Sequence, residues 1–216
     1  MKVLLWFEPC RVRLSPCVNE QPLAVSGMKS EILSIKTQFK GWASFSLAAI
    51  RLPNGQVVER EIEDHGAAVA VLAFDPERKM AILVQQFRAP PFLTLGQEHT
   101  LEAIAGIMED ADCITAARRE ALEEAGLQLR SLERIATVWT MPGISTERMT
   151  LYLAAYGLED RVAEGGGVSA EHENISVVEI GLGDLAKLMD AGELVDMKTL
   201  ALTQALKMRY PELFVQ

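Results

Sequence analysis

From residue 28 onward the chain alternates between short apolar runs and polar turn clusters, regularly enough to predict elements. Residues 43–52 and 56–62 read as strands, joined by Pro53-Asn54-Gly55, whose residue types suit a hairpin turn. Two apolar runs follow, 67–74 and 80–87, separated by the turn-like Asp75-Pro76-Glu77-Arg78. Pro90-Pro91 then predicts a break, followed by a loop through Gly96 and Gly106. Over 113–125 the period changes: Ile114, Ala117, Ala121, Leu122 and Ala125 recur at helical spacing, with Asp112 as N-cap and Gly126 just past the C-terminus. Further strands are predicted over 132–140, 149–155 and 175–180, and helices over 184–191 and 197–209. Strands and helices mix without regular βαβ alternation, which predicts an α+β fold with a mixed sheet. No internal repeat is visible, and Gly165-Gly166-Gly167 is the only low-complexity stretch.

Composition narrows the class. With 216 residues, about half of them hydrophobic, the chain can bury a core without disulfides or a structural metal. The net charge of −9 argues against a nucleic-acid surface, which needs a basic footprint. Cys10, Cys17 and Cys113 are odd in number and lack zinc spacing, so a reduced, cytoplasmic setting is the simplest reading. No apolar run approaches the roughly 20 residues of a membrane helix. The start has one Lys and a five-residue apolar run, shorter than a signal peptide's ~7–15. Residues 1–27 lack periodicity and are read as a tail without functional role. Residues 28–64 form a small N-terminal β unit ending before His65-Gly66, and 65–216 the main domain.

The chemistry concentrates in Arg119-Glu120-Ala121-Leu122-Glu123-Glu124-Ala125-Gly126. On a helix, Glu120, Glu123 and Glu124 stand at i, i+3 and i+4 and share one face. Such a face is often merely solvated, where like charges cost only a few tenths of a kcal/mol. In a cleft, two charges ~5–6 Å apart at an effective dielectric near 20 repel by roughly 3 kcal/mol. A cluster of that kind favours a hard cation, and oxygen ligands suit Mg²⁺ or Mn²⁺.

This stretch resembles the Nudix box, the signature of hydrolases acting on nucleoside diphosphates linked to another moiety. Arg119-Glu120, Glu123-Glu124 and Gly126-Leu127 match the second half of the box at every defined position. The first half departs from it: the segment from Gly106 to Arg119 is one residue short, and a Glu usual there is absent or replaced by Asp112. The resemblance implies a Nudix α/β/α sandwich in which Glu120 and Glu124 bind Mg²⁺ (or Mn²⁺), Glu123 assists and Arg119 orients Glu120. Glu102-Ala103-Ile104-Ala105-Gly106 is similar to the family's Glu-Leu-Pro-Ala-Gly element, which implies the Ala105 carbonyl as a further ligand.

Similarity extends over roughly 59–206 and is greatest to the nucleoside-diphosphate-sugar group. Arg60-Glu61 with His65-Gly66, Gln85-Gln86-Phe87-Arg88, and Met141-Pro142-Gly143 through Glu147-Arg148 carry it. It implies substrate contacts by Arg60, Arg88, Pro142 and Glu147, and water activation by Glu171 or Glu173, between which the sequence does not choose. It also implies a homodimer packed through 28–64, with Arg60 reaching the partner's site. The glycine triplet and Gly192-Glu193-Leu194, Asp196 and Lys198-Thr199 resemble the GDP-mannose branch, while Ser145-Thr146-Glu147-Arg148 leans toward ADP-ribose enzymes. The expected activity is therefore hydrolysis of a nucleoside diphosphate sugar to a nucleoside monophosphate and a sugar phosphate. The alternatives are a non-catalytic ligand sensor on the same fold and hydrolysis of another nucleotide class.

Overall fold

A computed structural model describes residues 29–109, 112–168 and 174–215. The proposed tail, 1–27, lies outside them. The first sheet is a three-stranded antiparallel unit of β1 (Glu31–Lys40), β2 (Ser44–Arg51) and β3 (Val57–Asp64). The predicted hairpin turn joins β2 to β3: Gly55 takes a φ of 83°, and Asn54 Oδ1 accepts the Gln56 N–H at 3.0 Å. β1 was not predicted, because every residue in it is exposed and two register shifts break its period-two alternation.

The two long apolar runs become β4 (Ala68–Asp75) and β5 (Met80–Phe87) at the centre of the second sheet. After them come α1 (Ala89–Leu95), β6 (His99–Glu102), β7 (Ile104–Ile107) and α2 (Cys113–Ala125). The chain continues through β8 (Glu133–Trp139), β9 (Arg148–Ala155), β10 (Ser176–Gly181), α3 (Leu182–Asp190) and α4 (Met197–Arg209). β4 is buried at all its positions because both its faces are covered. Val69, Val71 and Ala73 pack with Ala116, Ala117 and Ala121 of α2; Ala70, Leu72 and Phe74 pack with Leu182 and Leu185 of α3 and Leu202 and Leu206 of α4. Alternation along one strand thus divides the core into two layers, giving the expected α/β/α sandwich.

The sheet is mixed, in the order β10-β5-β4-β9-β8, with β4 and β9 parallel. β4 and β5 pair only where Ala73–Asp75 meets Met80–Ile82. Beyond that they splay, and β6 pairs with β5 while β7 pairs with β4. The segment read as a loop through Gly96 and Gly106 therefore contains two strands, each too short at four residues to show a period. Pro90-Pro91 does not break the chain but lies in the first turn of α1, where a missing N–H costs nothing.

α2 has its predicted bounds and caps. Asp112 accepts the Ile114 and Thr115 N–H groups, which lowers its pKa, the Thr115 backbone bond most. Gly126 has a φ of 67°. Its buried stripe differs from the expected one: Ile114 and Leu122 are 45% and 44% exposed, and Glu120 and Glu124 are buried in their stead. Among the described residues no helix is long and apolar enough to cross a membrane.

Candidate active site

α2 lies across β7, and small residues let it come close. A Cβ on Gly106 would lie 2.0 Å from the Glu120 carboxylate carbon, so the strand must offer bare backbone there. One residue earlier, the Ala105 N–H donates to Glu124 Oε2 at 3.0 Å. Arg119 Nη1 stands 2.9 Å from Glu120 Oε1 and 2.9 Å from Glu123 Oε2, and Nη2 donates to the Ile107 carbonyl. Arg119 therefore orients Glu120 and also makes the i, i+4 pair with Glu123. Glu120 and Glu124 are buried, while the Glu123 side chain stays one-third exposed.

This wall presents oxygen donors only. Among the described residues no three His, Cys, Asp or Glu side chains are grouped to hold a metal by themselves. The arrangement fits Mg²⁺ nonetheless. Such an ion usually takes one or two carboxylates and completes its shell with waters and substrate phosphates. Glu120, against the bare backbone of Gly106, and Glu124, beside Ala105, are the residues that fit this role.

A second wall carries positive charge. Arg88, just after β5, makes a bidentate pair with Glu102, Nε to Oε1 and Nη2 to Oε2, both at 2.8 Å. Lys198, in the first turn of α4, sets Nζ 2.5 Å from Glu102 Oε2 and 3.0 Å from Asp196 Oδ1. The Thr100 hydroxyl also donates to Glu102. Burial works to raise the Glu102 pKa, but the Arg88 hydrogen bond and the nearby Lys198 charge outweigh it and hold the carboxyl at about 2. The same hydrogen bond raises the Arg88 pKa against the effect of burial.

Between these walls opens a cleft of about 420 Å³, lined by Ala105, Arg119, Glu120, Glu123 and Glu124 on one side and by Arg88 and Lys198 on the other. Its edge comes from the N-terminal unit and the segment before β9. The Trp42 ring stacks on His65 at 4.9 Å. His65 Nδ1 lies 2.6 Å from Glu63 and Nε2 lies 3.4 Å from Glu147. Ser145 Oγ donates to Glu63 Oε2, and Glu63 and Ser145 form a parallel bridge, so β3 fixes the approach of Glu147.

Of the expected site residues, Ala105, Arg119, Glu120, Glu123, Glu124, Arg88 and Glu147 line this cleft. Pro142 is exposed away from its lining, and so is Arg60, whose Nη1 donates to the neighbouring Glu59 carbonyl. Glu171 and Glu173 lie outside the described residues. The glycine triplet, read as a low-complexity stretch, is docked on α2: Gly166 and Gly167 donate to the Glu124 and Glu123 carbonyls at 2.9 and 3.0 Å. Trp42, Gln86 and Lys198 line the cleft without having been read as site residues. For Lys198 the signal was its place in the Asp196–Thr199 motif; for Trp42 no local pattern marks it.

A family model described as the NUDIX domain matches residues 64–198. The chain is 35% identical over 159 residues to a GDP-mannose pyrophosphatase of Cronobacter sakazakii, covering 72% of this chain and 82% of that protein. A GDP-mannose pyrophosphatase of Pectobacterium atrosepticum is 34% identical over 159 residues, covering 72% and 81%. A crystal structure of an ADP compounds hydrolase superposes with a TM-score of 0.69 at 16% identity, covering 88% of this chain and 98% of that one, which supports the fold.

Proposed function

The chain belongs to the Nudix family and is a Nudix hydrolase, and from that premise we propose that it cleaves the diphosphate bond of a nucleoside diphosphate sugar. The products are a nucleoside monophosphate and a sugar phosphate. The observation that carries this reading is the pairing, in one cleft, of a buried carboxylate wall with the Arg88–Lys198 wall. A diphosphate needs both: cations to neutralise its oxygens, and carboxylates to hold the metal that polarises it.

Glu120 and Glu124 with the Ala105 carbonyl, Glu123 assisting, would hold Mg²⁺ or Mn²⁺, which would neutralise phosphate charge and lower the pKa of water. Arg119 keeps Glu120 turned toward the cleft. Arg88 and Lys198 bind phosphate oxygens, and Glu147 bounds the substrate's other end. The exposed face of Trp42 offers a stacking surface to the base. Water adds to one phosphorus, the bridging oxygen leaves with the other phosphate, and Glu171 or Glu173 takes the proton. The three-stranded unit packs across a homodimer, in which Arg60 reaches the partner's cleft.

The test is product identification with GDP-mannose, ADP-ribose and a nucleoside triphosphate, each with Mg²⁺ and with Mn²⁺. The names of the relatives make GDP-mannose the first substrate to try. GDP-mannose or ADP-ribose is expected to yield the monophosphate pair, and failure of both overturns the reading. Glu124→Gln is expected to lower kcat by about 1,000-fold, or roughly 4 kcal/mol in the barrier. Undiminished turnover in that variant removes Glu124 from the metal site.

A further inference from the structure

Glu102 is as enclosed as Glu124, each at 3% exposure. Arg88, Lys198 and the Thr100 hydroxyl all converge on its two oxygens. It lines only the adjoining pocket beside α1, whereas Arg88 and Lys198 line both that pocket and the cleft. Glu102 therefore stands behind the two cations that face a ligand. Glu102 lies between the two cations and Asp196 holds Lys198 from a second direction, so the four charges balance and the cluster acts through the placement of its N–H donors. A lysine held this way gives up its rotamer freedom during folding instead of on binding.

The same corner is tied to the carboxylate wall. Glu102 ends β6, and the next residue, Ala103, donates its N–H to Thr199 Oγ1 at 2.6 Å. Thr199 in turn donates to Asp196, the N-cap of α4. The chain then runs directly into β7, which carries Ala105 and Gly106. Cation wall and carboxylate wall thus share one rigid corner, with Glu102 at its pivot.

We propose that Glu102 is a positioning residue, which presents Arg88 and Lys198 as a fixed pair of cations to the phosphate groups of a nucleoside diphosphate compound. The substrate class rests on the function proposed above, whereas the anion-binding role does not. Two accounts of Glu102 predict opposite signs. If it contributed only its negative charge, neutralising it would tighten anion binding. If it positions the cations, neutralising it loosens them and weakens binding.

The experiment measures GDP binding by calorimetry in Mg²⁺, beside steady-state hydrolysis of GDP-mannose. Glu102→Gln, which keeps the side-chain shape, is expected to weaken GDP binding by about tenfold, the scale of one charge-assisted hydrogen bond. KM is expected to rise by a similar factor while kcat changes less than about threefold. In a Lys198→Met background the Glu102→Gln effect is expected to shrink, because both changes act on one unit. Glu102→Asp, which keeps the charge, is expected to restore part of the affinity. GDP binding that is unchanged or tighter in Glu102→Gln overturns the proposal, even if the variant melts earlier. Should Glu102→Gln not fold, GDP binding unaffected by Lys198→Met overturns it equally. Glu102-dependent GDP binding without hydrolysis of either nucleotide sugar upholds it and removes the proposed function instead.

Discussion

At Gly106 the strand and the carboxylate helix approach so closely that a methyl group would occupy the place of the Glu120 side chain. Gly106→Ala is therefore expected to displace Glu120 and lower kcat/KM by about 100-fold, or roughly 2.7 kcal/mol, with a higher Mg²⁺ requirement. Activity measured against Mg²⁺ concentration checks this; a wild-type profile would mean that Glu120 is not where catalysis needs it. Glu102 gives a prediction about stability. Its folded pKa of about 2 lies below the ordinary 4.5, so its stabilising effect is complete above 4.5 and disappears as pH falls toward 2. Over that window, the urea-unfolding free energy of the wild type should fall by up to about 3 kcal/mol more than that of Glu102→Gln. Parallel curves for the two proteins would show that the pairing with Arg88 and Lys198 contributes little in solution.

The helix α2 was legible in the sequence because its determinants are local: a 3.6-residue period, an Asp N-cap and a glycine at the αL position. Its orientation was not. Periodicity placed Ile114 and Leu122 inward, yet Glu120 and Glu124 face the sheet, because β7 supplies them with bare backbone and an N–H donor. The glycine triplet behaves likewise. Composition marked it only as a low-complexity stretch, but all three glycines have positive φ and the segment caps the carbonyl end of α2. At Gly165, with φ 77°, a Cβ would lie 2.5 Å from the Glu124 carbonyl. Gly165→Ala is expected to cost about 2 kcal/mol and to speed amide exchange at Gly166 and Gly167 relative to the core of α2. Unchanged protection of those two amides would mean that the segment does not depend on this contact.

For the whole molecule, the decisive feature is the splay of β4 from β5, which admits β6 and β7 and so brings Ala105 and Gly106 to the cleft and Glu102 behind its cation wall. The N-terminal sheet closes one edge of that cleft through Trp42 and Glu63, yet leaves Ile32, Ile35 and Phe39 at 61%, 50% and 65% exposure along β1. An exposed strand carrying large apolar side chains is a candidate surface for a partner. Sedimentation at micromolar concentration is expected to show a dimer, and Phe39→Asp to shift it to monomer with loss of turnover. A monomeric wild type with full activity would remove the partner, and with it the crossing role of Arg60.

The sequence by itself determined the apolar runs that became β4 and β5, the bounds and caps of α2, and the family to which the motif around Glu120 and Glu124 belongs. Each of these is set by residues within a few positions of one another. Only the tertiary structure decided that Arg88, Glu102 and Lys198 form one unit, across sequence separations of 14 and 96 residues. It alone set Ser145 against Glu63, 82 residues apart. Such contacts arise when the sheet closes and two layers are packed onto it. No local period records which distant side chains that closure brings together, so the carboxylate wall and Arg88 were visible in the sequence, and the unit that Arg88 forms with Glu102 and Lys198 was not.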